Sequence, residues 1–179
     1  MTALVLEPHH DDAVLFSSWN AIRHRAHIVT VLRSVNQEGM GITHGEREAE
    51  SSLAAQILGC RHSQWQEPDS APDWERIEVE LRAYEAALAP EHVFAPWPEA
   101  RGGNQQHDAI GALAASVFPG RVTHYTTYRT GGPRTTGTPV PYEREWVLLK
   151  LRALACFRSQ IRLGPVRFFA HALDEWTRP

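Results

Sequence analysis

The stretch ALVLEPHHDDAVLF, residues 3–16, decides the fold. It begins with a continuous apolar run, which is typical of a short strand buried on both faces of a parallel sheet. It ends with a second apolar run, which predicts the beginning of a helix. The polar residues HHDD, at 9–12, therefore lie where a strand meets a helix. This is the edge of a parallel sheet at which open α/β folds bind their ligands.

The chain beyond this stretch alternates between helix and strand patterns. A helix is expected over 12–25, and β-branched residues predict a second strand at 27–32. Another helix, over 46–58, is expected to end at Gly59 in a left-handed cap, and the longest helix is expected over 143–160. The alternation predicts a three-layer α/β/α sandwich around a mostly parallel sheet. Further strands are expected at 63–66, 92–95 and 122–128, further helices at 73–88 and 105–117, and irregular loops at 36–45 and 130–141.

Composition narrows the class of protein. A length of 179 residues, with 42% hydrophobic and 22% charged residues, fits one soluble globular domain over residues 1–179. A net charge of -3 gives no reason to expect nucleic acid or an anionic membrane surface as a partner. No apolar run approaches the ~20 residues of a membrane span, and no secretory leader pattern is present. Two lone cysteines make no disulfide framework, so a cytoplasmic location is expected.

A second polar cluster, GGNQQHD at 102–108, follows the strand expected at 92–95. In a parallel sheet it would lie on the same edge as HHDD. His9, Asp12 and His107 would then offer two nitrogens and one oxygen to Zn²⁺ or another divalent metal, with a fourth position left for a water. A metal at this edge would activate that water for hydrolysis. The simpler alternative for HHDD alone is a polar helix cap.

The residues PHHDDAVL, at 8–15, resemble the PHxDD motif of the LmbE-like, or PIG-L, family of zinc-dependent N-deacetylases. Further similarities to this family follow in the same order along most of the chain. They are Arg47-x-x-Glu50 with Ala54 and Leu58-Gly59, the loop Glu67-Pro68-Asp69, the segment NQQH at 104–107 in place of an HxDH motif, and a late helix from Lys150 to Ser159-Gln160.

The resemblance implies a Rossmann-like fold and hydrolysis of an N-acetyl or other N-acyl amide, commonly on an amino sugar or sugar conjugate. Carried over by position, His9, Asp12 and His107 would bind zinc. Asp11 would be the general base that takes a proton from the metal-activated water, and it could then protonate the leaving amine.

The resemblance also implies roles for residues around the metal. Arg47 would bind substrate, although it could instead be a solvated helix residue. Asp69 would contact sugar hydroxyls. Glu50 is expected to be a structural partner of a buried donor.

Two positions depart from the family pattern. Ala13 stands where the family often has Glu, and Asn104 stands where the first His of HxDH helps to stabilise the oxyanion. An amide can donate a hydrogen bond to an oxyanion, but it cannot donate a proton. The Asp of that motif is replaced by Gln106. The acid is then Asp11 alone, or another histidine that folds into the site.

Three functions remain open from the sequence. The first is a zinc-dependent deacetylase that acts on a small N-acylated substrate. The second is a metal-dependent hydratase or lyase on the same fold, because a fold does not determine a reaction. The third is a non-catalytic descendant that only binds a ligand. The sequence leaves open whether the chain forms a homo-oligomer.

Overall fold

The computed structural model describes residues 2–34, 41–98, 104–129, 132–133, 137–163, 173 and 175–178. Within these residues no helix is both long enough and apolar enough to cross a bilayer. The helices are α1 Asp12–Phe16, α2 Ser18–His24, α3 His44–Ile57, α4 Trp74–Leu88, α5 Gln105–Val117, α6 Arg144–Leu154 and α7 Arg158–Leu163. The strands are β1 Ala3–Glu7, β2 His27–Arg33, β3 Arg61–Pro68, β4 His92–Pro96, β5 Val122–Tyr125, β6 Tyr128–Arg129, β7 Gly132–Pro133, β8 Thr138–Pro139 and β9 Trp176–Arg178.

The main sheet has seven strands in the order β3-β2-β1-β4-β5-β9-β8. The first five in this order run parallel, and β9 and β8 add antiparallel pairs at one edge. Strands β6 and β7 form a separate antiparallel pair. The expected mostly parallel α/β sheet is confirmed. The order changes direction between β1 and β4, which is the switch point at which a crevice opens above the carboxyl ends of the strands.

Successive side chains of β1 point to opposite faces of the sheet, so the core has two layers. Ala3 and Val5 pack into a cluster with α1, α2, α3 and α6 on one face of the sheet. Leu4 and Leu6 pack into a second cluster with α4 and α5 on the other face. All five residues of β1 are buried, because both faces of this central strand are covered by helices. The three-layer α/β/α sandwich is therefore confirmed.

The helix expected over 12–25 is wrong in one respect, because it is broken into α1 and α2 at Ser17. Two groups approach the break from distant parts of the chain. The Glu175 carboxylate accepts hydrogen bonds from the backbone N–H groups of Ser18 and Trp19, each at 2.9 Å, and so caps the start of α2. The same carboxylate pairs with the buried Lys150 ammonium at 2.6 Å. Lys150 also donates to the Leu15 carbonyl at 3.0 Å.

The helix expected over 143–160 is broken as well, between α6 and α7. Glu50 of α3 accepts hydrogen bonds from the backbone N–H of Ser159 at 2.8 Å and from its hydroxyl at 2.6 Å. A buried carboxylate thus caps the first turn of α7, in the same way that Glu175 caps α2. The structure gives Glu50 the part expected for it, that of a partner to a buried donor.

Several smaller expectations can now be compared with the structure. The strand expected at 63–66 is longer and forms β3, and Gly59 adopts the left-handed conformation at φ 73°. Asp73 caps α4, with its carboxylate accepting a hydrogen bond from the Arg76 N–H at 3.1 Å. The loop expected at 130–141 contributes β7 and β8, and much of it lies outside the described residues, as does most of the loop expected at 36–45.

Candidate metal centre and active site

The two polar clusters meet at the carboxyl edge of the sheet, at its switch point. The loop after β1 supplies His9 and Asp11, and Asp12 is the first residue of α1. The first turn of α5, which follows β4, supplies His107. Helix α5 lies close to the end of β4, since a side chain at Gly111 would begin 2.1 Å from the Pro96 carbonyl oxygen. This close approach, which only glycine permits, brings the first turn of α5 to the edge of β1.

His9, Asp12 and His107 form one compact cluster. Their donor atoms lie 3.3 Å apart between His9 Nδ1 and Asp12 Oδ2, 3.2 Å between His107 Nε2 and Asp12 Oδ2, and 3.3 Å between the two imidazole nitrogens. The Asp12 carboxylate is also held by the backbone N–H of His9 at 2.9 Å, which closes the loop on itself. The structure therefore brings together the three residues expected to bind a metal.

The cluster fits a tetrahedral metal ion. Ligands that bind Zn²⁺ at about 2.0–2.1 Å in a tetrahedron stand roughly 3.3–3.4 Å from one another. The observed separations, 3.2 to 3.3 Å, are close to those edges. Two imidazoles with one carboxylate are a donor set suited to Zn²⁺. The structure thus contains a His/Asp/His arrangement that can hold a divalent metal.

The electrostatics of the cluster favour positive charge. Burial alone would raise the pKa of Asp12, but the neighbouring His107 and His9 outweigh burial and hold that pKa well below its usual range. Burial would lower the pKa of His9, yet its bond to Asp12 and the charges of Asp12 and Asp11 raise it. Asp12 is therefore a carboxylate at neutral pH, and its charge stabilises a cation at the imidazole nitrogens.

Asp11, the expected general base, points towards the guanidinium of Arg47. An Arg47 Nη donates to Asp11 Oδ1 at 3.3 Å, and Arg47 is buried in α3. The alternative of a solvated Arg47 is therefore wrong. Because this contact engages Oδ1, Arg47 orients the carboxylate of Asp11. Its expected contact with substrate stays a prediction.

Asn104 is the N-cap of α5. Its side-chain oxygen accepts a hydrogen bond from the Gln106 N–H at 3.0 Å, which is the usual capping bond. The capping bond commits the amide oxygen and leaves the amide NH₂ as the donor of this side chain. The residue is exposed at the rim of the cluster. Its expected part in oxyanion stabilisation stays a prediction.

The neighbouring Gln106 bridges two loops of the site. Its side-chain oxygen lies 2.8 Å from His9 Nε2, and its amide nitrogen donates to the backbone carbonyl of Asp69. Asp69 lies directly after β3 and is buried at the same edge of the sheet. Gln106 and Asp69 thus both lie at the site, although their positions in two separate sequence motifs did not predict a contact between them.

Glu7, the last residue of β1, was not singled out from the sequence. Its buried carboxyl accepts hydrogen bonds from the Ala13 N–H at 2.8 Å, the Ser51 hydroxyl at 3.3 Å and the Thr30 hydroxyl. These bonds connect β1, α1 and α3 beneath the metal ligands. Burial, with the charges of Asp12 and Asp11 added, raises the pKa of Glu7 to about 8. The feature of the sequence that could have indicated a functional or structural role for Glu7 is its position as an acidic residue at the end of an apolar strand.

The raised pKa of Glu7 predicts a pH-dependent stability. Between its unfolded value of 4.5 and its folded value of about 8, the native state holds a proton that the unfolded chain has lost. The free energy of unfolding should therefore fall as pH rises, by about 1.4 kcal/mol per pH unit from this group. Glu7→Gln should remove that slope. The measurement is urea unfolding of metal-free protein at about pH 5.5 and about pH 7.5. Between these two pH values the free energy of unfolding of the wild type should fall by roughly 2 kcal/mol more than that of the variant.

A matched control for this measurement is Glu75→Gln, on the exposed first turn of α4. It removes an exposed carboxyl, so the pH dependence of its free energy of unfolding should match that of the wild type. Parallel pH profiles for Glu7→Gln and the wild type would contradict a protonated Glu7.

His10, the remaining residue of the HHDD segment, is fully buried. Its Nδ1 lies 3.4 Å from the Ser34 hydroxyl, and its ring meets His44 edge-on with centroids 5.5 Å apart. Burial and the nearby Arg47 guanidinium lower the pKa of His10 to about 2. A neutral imidazole packed behind the loop supports the site without adding charge to it.

Comparison with known proteins agrees with the fold, an α/β sandwich around a mostly parallel sheet. The family model for GlcNAc-PI de-N-acetylase, PIG-L, matches residues 4–118. The chain belongs to this family, whose chemistry is hydrolytic N-deacetylation. A search of curated proteins found no significant match.

Solved structures share the fold across nearly the whole chain. N,N'-diacetylchitobiose deacetylase from Pyrococcus horikoshii is 17% identical with a TM-score of 0.75, covering 99% of this chain and 82% of that one. A conserved protein from Thermus thermophilus is 23% identical with a TM-score of 0.74, covering 94% and 84%. The 4-carboxy-2-hydroxymuconate hydratase from Pseudomonas putida is 18% identical with a TM-score of 0.72, covering 94% and 82%.

Proposed function

We propose that the protein is a zinc-dependent hydrolase, one domain over residues 1–179, that removes an N-acetyl or other N-acyl group from an amino sugar or related small amide. The observation that carries this proposal is the spacing of His9 Nδ1, Asp12 Oδ2 and His107 Nε2, at 3.2 to 3.3 Å from one another, in a member of a de-N-acetylase family. The carboxylate of Asp11 lies in the loop after β1, which also carries His9.

His9, Asp12 and His107 would hold the metal. A zinc ion held there supplies Lewis acidity, which polarises an amide carbonyl and lowers the pKa of a water towards about 7. Asp12 contributes the single negative charge among these three residues. The remaining positive charge is then available to stabilise negative charge that develops on the substrate.

Asp11 would move the proton. Arg47 contacts its Oδ1, so Oδ2 remains to accept a proton from the attacking water. The oxygen of that water forms a bond to the acyl carbon, and the carbon–nitrogen bond then breaks. Asp11 returns its proton to the leaving nitrogen, so that a carboxylic acid and a free amine are the products.

The rim residues would recognise the substrate. The Asn104 amide N–H would donate to the oxygen of the acyl group as it gains negative charge. Asp69 would accept hydrogen bonds from sugar hydroxyls, in keeping with its position beside the cluster at the end of β3. We place the protein in the cytoplasm, where its two cysteines, both free in the structure, would stay reduced.

The direct test is release of acetate. Zinc-loaded protein should liberate acetate and a primary amine in equal amounts from at least one member of a panel of N-acetylated amino sugars and their conjugates. The same protein treated with chelator should be inactive, and added zinc should restore the activity. Absence of acetate from the whole panel, with zinc bound, would contradict the deacetylase proposal.

A hydratase is the second function that the site could perform. The observation in its favour is Asn104, which cannot give a proton to a leaving amine, whereas hydration of a double bond has no amine to release. A probe such as 4-carboxy-2-hydroxymuconate, for which one structural relative is named, should then lose its ultraviolet absorbance without release of acetate. This outcome together with no acetate release would favour the hydratase.

Asn104 can be tested apart from its capping role. Asn104→Ala should lower turnover by roughly 10²–10³-fold, because one hydrogen bond to the oxyanion is lost. It should also destabilise α5 by about 1 kcal/mol, since the cap is lost. Asn104→Ser keeps a capping oxygen and should lower turnover without this loss of stability. Unchanged turnover in both variants would show that Asn104 only caps the helix.

A further inference from the structure

The amide of Gln106 lies between a metal-type ligand and a substrate-side loop. On one side is His9 Nε2, at 2.8 Å from the Gln106 oxygen, and on the other is the backbone carbonyl of Asp69. Gln106 is half-buried on the first turn of α5, directly before His107. Its two bonds thus join the loops after β1 and β3 to the helix that follows β4.

The direction of these bonds follows from what each group can donate. The Asp69 carbonyl can only accept, so the Gln106 group that faces it is the NH₂. The amide oxygen must then face His9, where it can only accept. His9 therefore carries its proton on Nε2, and in the neutral ring its lone pair is on Nδ1.

The position of that lone pair matters for the cluster. His9 Nδ1 is the atom that lies 3.3 Å from Asp12 Oδ2 and 3.3 Å from His107 Nε2. The opposite tautomer would place a hydrogen on Nδ1, directed into the cluster, where it would compete with a cation. Hydrogen bonds from the outer nitrogen of a metal-binding histidine fix both its tautomer and its ring orientation.

We infer that Gln106 is a positioning residue that sets the tautomer and orientation of His9, anchored by the Asp69 backbone. The inference rests on the proposed metal site and deepens it. A neutral amide at this position fixes the ring without adding a second negative charge. Metal affinity should then depend on the Gln106 oxygen.

Two substitutions separate the bonds that Gln106 makes. Gln106→Leu removes both of them with little change in volume, and the Kd for zinc should rise by about 10–100-fold. Gln106→Glu keeps an acceptor for His9 and loses only the donor to Asp69, so it should bind zinc no more weakly than the wild type. The Kd is measured by competition with a chromophoric chelator, using the full chain.

The matched control is Gln105→Leu, one residue earlier on the exposed face of the same helical turn. It should leave the Kd for zinc unchanged. Thermal unfolding of each metal-free variant shows whether any loss of affinity comes from loss of folding. A Gln106→Leu variant that binds zinc like the wild type would overturn the inference, as would a Gln106→Glu variant as weak as Gln106→Leu.

A second measurement needs neither metal nor activity. Long-range proton–nitrogen NMR of metal-free protein reports the tautomer of each histidine, once the pH has been raised until the spectra show that the His9 ring is neutral. His9 should carry its proton on Nε2 in the wild type and in Gln105→Leu, and a mixture of tautomers should be seen in Gln106→Leu. The same tautomer in all three would overturn the inference. Failure of the wild type to bind zinc would instead contradict the proposed function.

Discussion

Asp11→Asn should bind zinc as tightly as the wild type and turn over its substrate about 10²–10⁴-fold more slowly. The variant keeps a side-chain oxygen that can accept the hydrogen bond from Arg47, so the loop should hold its shape. An amide cannot take a proton from water, so the general base would be lost. The measurements are zinc content, zinc affinity, and the initial rate of acetate release at saturating substrate.

The control for charge removal is Glu75→Gln, which lies outside the site and should turn over substrate like the wild type. Turnover of Asp11→Asn within tenfold of the wild type would show that a different group takes the proton. Loss of zinc from Asp11→Asn would show that Asp11 is a metal ligand, and the roles of metal ligand and general base assigned to Asp12 and Asp11 would then be wrong.

Asp12→Ala should lose both the metal and the activity. Asp12 Oδ2 is the atom that both imidazole nitrogens approach, and it is the only carboxylate oxygen of the cluster. Its removal leaves two neutral ligands. Mutation of a residue that only hydrogen-bonds to a metal ligand typically lowers metal affinity by about 10–100-fold, and the loss of zinc affinity in Asp12→Ala should be larger. Added zinc at about 100 times its Kd should stabilise the wild type by about 2.7 kcal/mol and leave the variant unchanged.

The measurement for Asp12→Ala is the thermal midpoint with and without zinc, followed by metal analysis after dialysis. Circular dichroism of the metal-free variant confirms that it still folds. A zinc-dependent rise in the midpoint of Asp12→Ala, equal to that of the wild type, would show that the ligand set His9, Asp12 and His107 is wrong.

The sequence predicted the central half of the molecule well, for local reasons. The apolar run of β1 is continuous, as a strand covered on both faces requires, and its polar end had to lie at the carboxyl edge of a parallel sheet. Helix α5 begins and ends as expected from its residues, because Asn104 is a good N-cap. The sequence alone therefore predicted the three candidate metal ligands.

The contacts around these ligands could not be predicted in the same way. The bonds of Gln106 to His9 and to the Asp69 carbonyl join residues far apart in sequence, and they depend on the close approach of α5 to β4 at Gly111. The buried position of Glu7 likewise becomes visible only when β2 and α3 cover it. Such contacts have no periodic or spacing signature.

By itself, the sequence determined the succession along the chain of the five parallel strands and the helices between them, and the edge at which polar side chains meet, because these follow from local hydrophobic patterns and backbone preferences. The tertiary structure decided where the long helical patterns break. Both breaks are capped by a buried carboxylate from elsewhere in the chain, Glu175 at α2 and Glu50 at α7. The free N–H groups at a helix start need an acceptor, and only the folded chain brings these carboxylates to them.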